Sequence, residues 1–232
     1  MQRLKVAIIT PKLGTYDASS STSISDHAIK RGHKIFEFEA QHLRYEEGKL
    51  LASVLEYPSK KKAEIDLRKM DVVLFRPNPP VDMEYLTTLF LLRTIEDKTL
   101  IINRPSSIIN FPEKILPFYL SKYAPETVVT KDIEVAAAFL KKHKTIILKP
   151  LYDFGGHGVI KITASEGKLL AEKIKASAEP VLLQKFLSSI SKGSKRILFI
   201  DGKIAGAVVR VPQKGDYLSN FHQGSVTSAT TL

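Results

Sequence analysis

The chain has 232 residues, 44% of them hydrophobic and 25% charged, ordinary globular values that leave collagen and disorder as poor descriptions. Cysteine is absent, which excludes disulfides and thiol nucleophiles, and no apolar stretch reaches the roughly 20 residues that span a bilayer. Lys and Arg total 35 against 24 Asp and Glu, and the net charge of +11 fits nucleic acid, an anionic membrane surface or anionic small substrates.

The first strand-like run, "LKVAIIT", begins almost at Met1 and leaves no room for a signal peptide, so a cytoplasmic protein with no membrane partner is expected. From there strands and helices alternate, the pattern of an α/β fold with a largely parallel sheet. After "KVAIIT" the Ser/Thr-rich "TYDASSSTS" leads into a helix that ends near Gly32, and "HKIFEFEA" is the next strand. "RYEEGKLLASVLEY" carries a Glu-Gly turn between two runs that pair as a hairpin. "SKKKAEIDLRK", residues 59–69, is the densest basic cluster and has the spacing of a solvated surface helix. No aromatic residues interleave with its lysines, so it lacks the stacking platform of a nucleic-acid site, and no nucleic-acid partner is expected. "MDVVLFR" is a continuous apolar strand suited to burial on both faces, "VDMEYLTTLFLLRTIED" is helical by spacing, and "TLIINRP" is a buried strand stopped by Pro105. Up to about Tyr123 these elements form one doubly wound unit.

Beyond "YAPETVVT" the texture changes. "DIEVAAAFLKKH" is a helix with Asp132 as N-cap, followed by the strand "TIILKP", a glycine loop and the strand "GVIKI". A helix around "SEGKLLAEKIKASA" leads to "PVLLQKFL", and "KRILFIDG" and "KIAGAVVRVP" form a hairpin about an Asp-Gly turn. This second part is α+β, with antiparallel pairs.

The loop in "ILKPLYDFGGHGVIKI" is neither G-x-x-x-x-G-K-[ST] nor G-x-G-x-x-G, both of which run from a strand into a helix N-terminus. It runs from strand to strand, so phosphates would be held by backbone amides and lysines without a helix dipole. A plain hairpin turn is the other reading of the glycines. Lys149, at the end of a buried-type strand, either meets an anion or reaches solvent. The six histidines show no metal-ligand spacing, and no G-x-S-x-G elbow is present.

"ILKPLYDFGGHGVIKI", "QKFL" and "KRILFIDG" stand in the order seen in ATP-grasp ligases, and the resemblance narrows further. "LFRPNPPVDMEYLTTLFLL", "INRPSSIINFPEKI", "APETVVT" and "RVPQKG" resemble the bacterial glutathione synthetase family. The resemblance implies an N-terminal doubly wound pre-ATP-grasp, substrate-binding domain over 1–122. An α+β ATP-grasp domain, incomplete at its C-terminal end, follows over 123–232. It implies ATP-dependent joining of γ-glutamylcysteine to glycine through an acylphosphate, with Mg2+ (or Mn2+), and a homo-oligomer at full length. Lys114 and Lys149 match the two phosphate-contacting lysines, and Gly155, Gly156 and Gly158 the loop that closes over the triphosphate. Phe186 and Leu187 match the hinge against adenine, with Gln184 just before it, and Arg210 the arginine near the transferring phosphate. Each has a plainer reading: Lys114 as a surface lysine of the "PEKILPFYL" helix, Phe186 and Leu187 as core, Arg210 in a structural ion pair, His157 as a tolerated loop residue. Arg76 and the "DASSSTS" loop are candidates for the carboxylates of the dipeptide, while "RPNPP" also lets Arg76 tie down a proline-rich turn.

Three departures from the family pattern stand out. Ser194 replaces the Asp of Gly-Asp-Lys-Arg, and Ser225 and Val226 replace Gly and Arg in a later loop. The chain stops at Leu232, whereas the family continues into a segment whose Asp, Glu and Asn bind two magnesium ions, so no metal ligand is expected in this chain. An exposed sheet edge and bare apolar surface are expected as well. Two alternatives stay open: another ATP-grasp carboxylate-amine ligase, and a non-catalytic ATP-binding remnant.

Overall fold

The computed structural model describes residues 2–13, 20–78, 80–213, 216–217 and 226–231. The chain divides into two compact units, 1–116 and 117–232. The first is built on a seven-stranded sheet. Its centre is parallel: β1 (Lys5–Ile9) pairs with β2 (Lys34–Phe38) on one side and with β6 (Val72–Phe75) on the other, and β6 pairs with β7 (Leu100–Ile102). Alternation along β1 divides the core. Val6 and Ile8 pack with Ile35, Ala28 and Ile29 on the side of helix α1 (Ser20–Lys30). Ala7 and Ile9 pack with Val73, Leu89 and Leu92 on the side of α2 (Met83–Arg93). Helices on both faces of a parallel core are the doubly wound arrangement expected from the apolar runs.

Asp82 caps α2 by accepting the Tyr85 N–H, and Pro105 begins α3 (Pro105–Asn110) at a position where its missing N–H is not needed. Inside the α1 face, Ser25 is fully buried and donates to Glu37 Oε1 at 2.8 Å. Burial holds the Glu37 carboxyl above its ordinary value, with the Asp26 charge adding to the effect and the Ser25 bond opposing it.

The remaining strands are antiparallel. β3 (Leu43–Glu46) and β4 (Lys49–Tyr57) meet at Glu47–Gly48, whose φ values of 45° and 74° give the predicted hairpin turn. The basic cluster at 59–69 departs from its predicted helix. Residues Lys61–Asp66 are strand β5, paired with β4 from Glu56↔Lys61 to Leu51↔Asp66, and a 3-10 turn follows at Leu67–Lys69. Charges recur there at intervals that satisfy a helix face as well as a strand, and the long strand β4 resolves the ambiguity by offering a ladder. The lysines then decorate an exposed strand, where charge discourages pairing with other chains.

The second unit holds a four-stranded antiparallel sheet in the order β10-β9-β11-β8, made of Ile160–Thr163, Thr145–Pro150, Val181–Lys185 and Thr127–Thr130. Helices α4 (Ile133–His143) and α5 (Gly167–Ala176) cover one face, burying Ile146, Leu148, Ile162, Val181 and Leu183 against Ala136, Leu140, Leu170 and Ile174. Asp132 caps α4 by accepting from Glu134 and Val135 N–H, as its position predicts. A capping box between Thr163 and Glu166 opens the turn into α5, and those bonds hold the Glu166 carboxyl below its ordinary range.

A three-stranded sheet completes the unit: β12 (Ser194–Ile200), β13 (Lys203–Val211) and β14 (Val226–Ala229). Asp201 and Gly202 take φ of 50° and 70° in the predicted hairpin turn. Apolar side chains are left bare along its outer half, where Leu198 is 58% and Ile200 62% exposed. The "PEKILPFYL" segment, expected to be helical, is a 3-10 stretch over Leu116–Tyr123 broken at Leu120. Pro117 offers no N–H to an α-helical ladder there. No helix among the described residues is long and apolar enough to cross a membrane.

Candidate functional site

Strand register builds a polar face in the second unit. Leu182 pairs with Lys149, Gln184 with Thr127 on one side and Ile147 on the other, and Lys161 with Ile147. Paired residues share a face of a pleated sheet, as do residues two apart, so these six side chains project opposite to α4 and α5. Lys149 Nζ donates to Gln184 Oε1 at 2.8 Å, and Gln184 Nε2 donates to Thr127 Oγ1 at 2.9 Å. The Lys161 ammonium lies 4.5 Å from the centroid of the Phe186 ring. Leu187 follows, 48% exposed, at the start of a 3-10 turn. Lys149 and Gln184 are thus brought into contact, while Phe186 stands beyond the far end of β11 with Lys161 over its ring and its N–H on the Thr145 carbonyl at 3.2 Å.

The glycine loop rises from the same strand. It connects β9 to β10 and does not enter a helix, as its sequence predicts. Gly155, Gly156 and Gly158 all take positive φ, at 63°, 88° and 66°. At Gly158 space is limiting as well: a Cβ there would stand 2.7 Å from Pro150 Cγ, so the returning strand can pass its own origin only without a side chain. The His157 N–H closes a turn onto the Phe154 carbonyl at 3.0 Å, and the two rings stack edge to face at 5.3 Å.

Arg210 lies on the three-stranded sheet, paired with Ser194. Its Nε is buried and has no hydrogen-bond partner among the described residues. A guanidinium nitrogen in that state carries a desolvation cost that a bound anion would remove. Gly193, at φ 98°, sits against this strand so closely that a Cβ would be 2.9 Å from the Arg210 carbonyl oxygen. Val226 pairs with Val211, while Ser225 lies outside the described residues.

The first unit holds the other candidates. Arg76 follows β6, with its N–H on the Ile9 carbonyl, and its guanidinium reaches Ser20 Oγ at 2.5 Å and Ser21 Oγ at 3.5 Å. The arginine and the described part of "DASSSTS" therefore meet where the order of the sheet switches between β1 and β6, the usual ligand position in open α/β sheets. Asp17, Ala18 and Ser19 lie outside the described residues. Beside the same strand ends is a cavity of about 390 Å³ whose lining includes Thr10, Glu39, Pro77, Asp82, Tyr85 and Thr88. Burial, and secondarily the charge of Glu113, push the Tyr85 hydroxyl up. Lys114 stands in the turn ahead of the 3-10 stretch.

Sequence reasoning missed Thr127 and Lys161. The alternation of "GVIKI" puts Lys161 on one face of its strand, but only the register with Ile147 identifies that face as the one bearing Lys149. Among the described residues no group of three or more histidine or carboxylate side chains lies together so as to hold a metal ion.

The family described as prokaryotic glutathione synthetase matches in two parts: its N-terminal domain over residues 4–108 and its ATP-grasp domain over residues 113–232. The chain belongs to the prokaryotic glutathione synthetase family. A glutathione synthetase of Mesorhizobium japonicum is 37% identical over 245 residues, covering 99% of this chain and 78% of the relative. One from Brucella melitensis is also 37% identical, covering 95% and 76%. Among solved structures, a RiPP-associated ATP-grasp ligase of Chryseobacterium gregarium superposes with a TM-score of 0.64 at 18% identity, covering 99% of this chain and 77% of its own. A D-cycloserine synthetase gives 0.65 at 14% identity, covering 89% and 68%. At these identities the structures speak for the shared fold.

Proposed function

We propose that this member of the family is an ATP-dependent ligase that joins γ-glutamylcysteine to glycine, giving glutathione, ADP and phosphate. The match to both domains of the glutathione synthetase family carries this reading. The cysteinyl carboxylate oxygen attacks the γ-phosphorus of ATP, and the bond to the leaving ADP oxygen breaks. The glycine amine then attacks the acyl carbon, loses a proton and expels inorganic phosphate. Both steps need anionic oxygens neutralised and the activated acyl group kept from water.

In this reading residues 1–122 hold the dipeptide and residues 123–232, together with Lys114, hold the nucleotide. Lys149 and Lys114 donate to phosphate oxygens, and the backbone N–H groups of Gly155, Gly156 and Gly158 cover them. Phe186 and Leu187 flank the adenine, Gln184 orients Lys149, and Arg210 turns its Nε, which has no partner among the described residues, to the transferring phosphoryl group. Arg76, with Ser20 and Ser21, takes a carboxylate of the dipeptide. Mg2+ or Mn2+ accompanies ATP as a counter-ion, and the described residues do not offer it a ligand set. The reading places the reaction in the cytoplasm, in a homo-oligomer.

The test is ADP release with each substrate omitted in turn. Release that requires both γ-glutamylcysteine and glycine is expected. ATP binding without substrate-dependent release would contradict the ligase reading, and a preference for another amino acid would replace glycine with that acceptor.

A further inference from the structure

The polar face of the four-stranded sheet carries a hydrogen-bond chain with one possible direction. An ammonium only donates, so Lys149 Nζ, 2.8 Å away, requires the oxygen of the Gln184 amide. That leaves Gln184 Nε2 for Thr127 Oγ1 at 2.9 Å, where the hydroxyl must accept. The single proton of Thr127 then goes to the Pro125 carbonyl oxygen at 2.7 Å. The links lie on three adjacent strands, with Gln184 paired to Thr127 and diagonal to Lys149, so the sheet ladder holds the spacing. The opposite face is locked against α4 and α5 through Ile146, Leu148 and Leu183, which keeps the strands from shifting.

We infer that Thr127 is a positioning residue for the phosphate-contacting Lys149, acting through Gln184. The inference rests on the reading of Lys149 given above. The chemistry of each link supports the role. A neutral amide accepts from an ammonium without cancelling its charge, which a carboxylate at the same place would do. An amide left without a partner for its nitrogen can turn over and present that nitrogen to Lys149, repelling the ammonium. The Thr127 hydroxyl prevents this by supplying an acceptor that the nitrogen alone can use. The cost of holding a long, flexible lysine side chain is thus met before a ligand arrives.

The experiment compares Thr127→Val, Thr127→Ser and Gln184→Met with the wild type, titrating ATP and adenosine separately and following thermal unfolding. Thr127→Val is expected to weaken ATP binding by about three- to tenfold and leave adenosine binding unchanged, since only the phosphate contact is disturbed. Thr127→Ser restores the hydroxyl and should return ATP affinity to within about twofold of wild type. Gln184→Met removes the middle of the chain at similar volume and should show the same selective loss, which keeps the test decisive if the valine variant folds poorly. The side-chain amide signal of Gln184 in a proton–nitrogen spectrum should move in Thr127→Val without any ligand. Unchanged ATP affinity in both Thr127→Val and Gln184→Met overturns the inference. Equal loss of ATP and adenosine also overturns it, because that is the mark of a merely structural role. A wild-type chain that binds neither nucleotide fails at the earlier step and overturns the nucleotide reading together with the inference.

Discussion

The two sheets of the second unit are woven from equally apolar strands and end in opposite states. In β11, Val181, Leu182 and Leu183 are all buried, whereas in β12 Ile197, Leu198, Phe199 and Ile200 are all exposed. Composition does not separate them. The four-stranded sheet has α4 and α5 against one face, and that backing makes its strands a rigid floor on which polar side chains can be held at fixed distances. The three-stranded sheet relies mainly on its own ladder and on the close contact of Gly193 with β13. A sheet gains precision from what covers its other side.

The comparison can be broken most forcefully at Leu183. Leu183→Ala opens a cavity between the floor and its helices and should cost about 2–5 kcal/mol, read from chemical unfolding. A loss under about 1 kcal/mol would mean that α4 and α5 do not support the sheet. The next effect is expected at Gly193. Gly193→Ala places a Cβ 2.9 Å from the Arg210 carbonyl at φ 98°, and a destabilisation of about 1–3 kcal/mol should follow in the same measurement. Smaller again is the effect of Glu37→Gln in the first unit. Because burial raises the folded-state pKa of Glu37, its contribution is present below the ordinary carboxylate value and lost as pH rises through the folded one. The glutamine variant cannot ionise, so it should gain on wild type between pH 4 and pH 7, by about 0.5 kcal/mol or less for a half-exposed group. Smallest is Leu198→Ser, which should leave stability within about 0.5 kcal/mol and reduce self-association in sedimentation, since that side chain faces solvent.

The same contrast governs what the sequence made legible. Elements specified by nearby residues were readable: α4 from Asp132 and its alanine run, the hairpin turns from Glu47–Gly48 and Asp201–Gly202, and the doubly wound centre from runs such as "MDVVLF". Residues 59–69 were misread because their charges suit a helix or a strand, and the deciding partner, β4, is a separate element. The site divides in the same way. Lys149 stands out as a cation ending an apolar strand, and Gly158 as a residue in a dense glycine cluster. Lys161 acquires its meaning from the register of β10 with β9 across the glycine loop, and Thr127 from pairing with Gln184, 57 residues away. Long-range pairing is decided by the whole sheet, so no local pattern announces it.

Lys149 is where the rigid floor and the proposed chemistry meet. ATP titrated into the wild type and into Lys149→Met, with the unfolding temperatures of both recorded, tests that meeting point directly. A loss of affinity of at least about tenfold at unchanged thermal stability is predicted, because the proposed charge-assisted contact to phosphate would disappear while the sheet keeps its helical backing. Equal affinity in the two proteins would contradict the account.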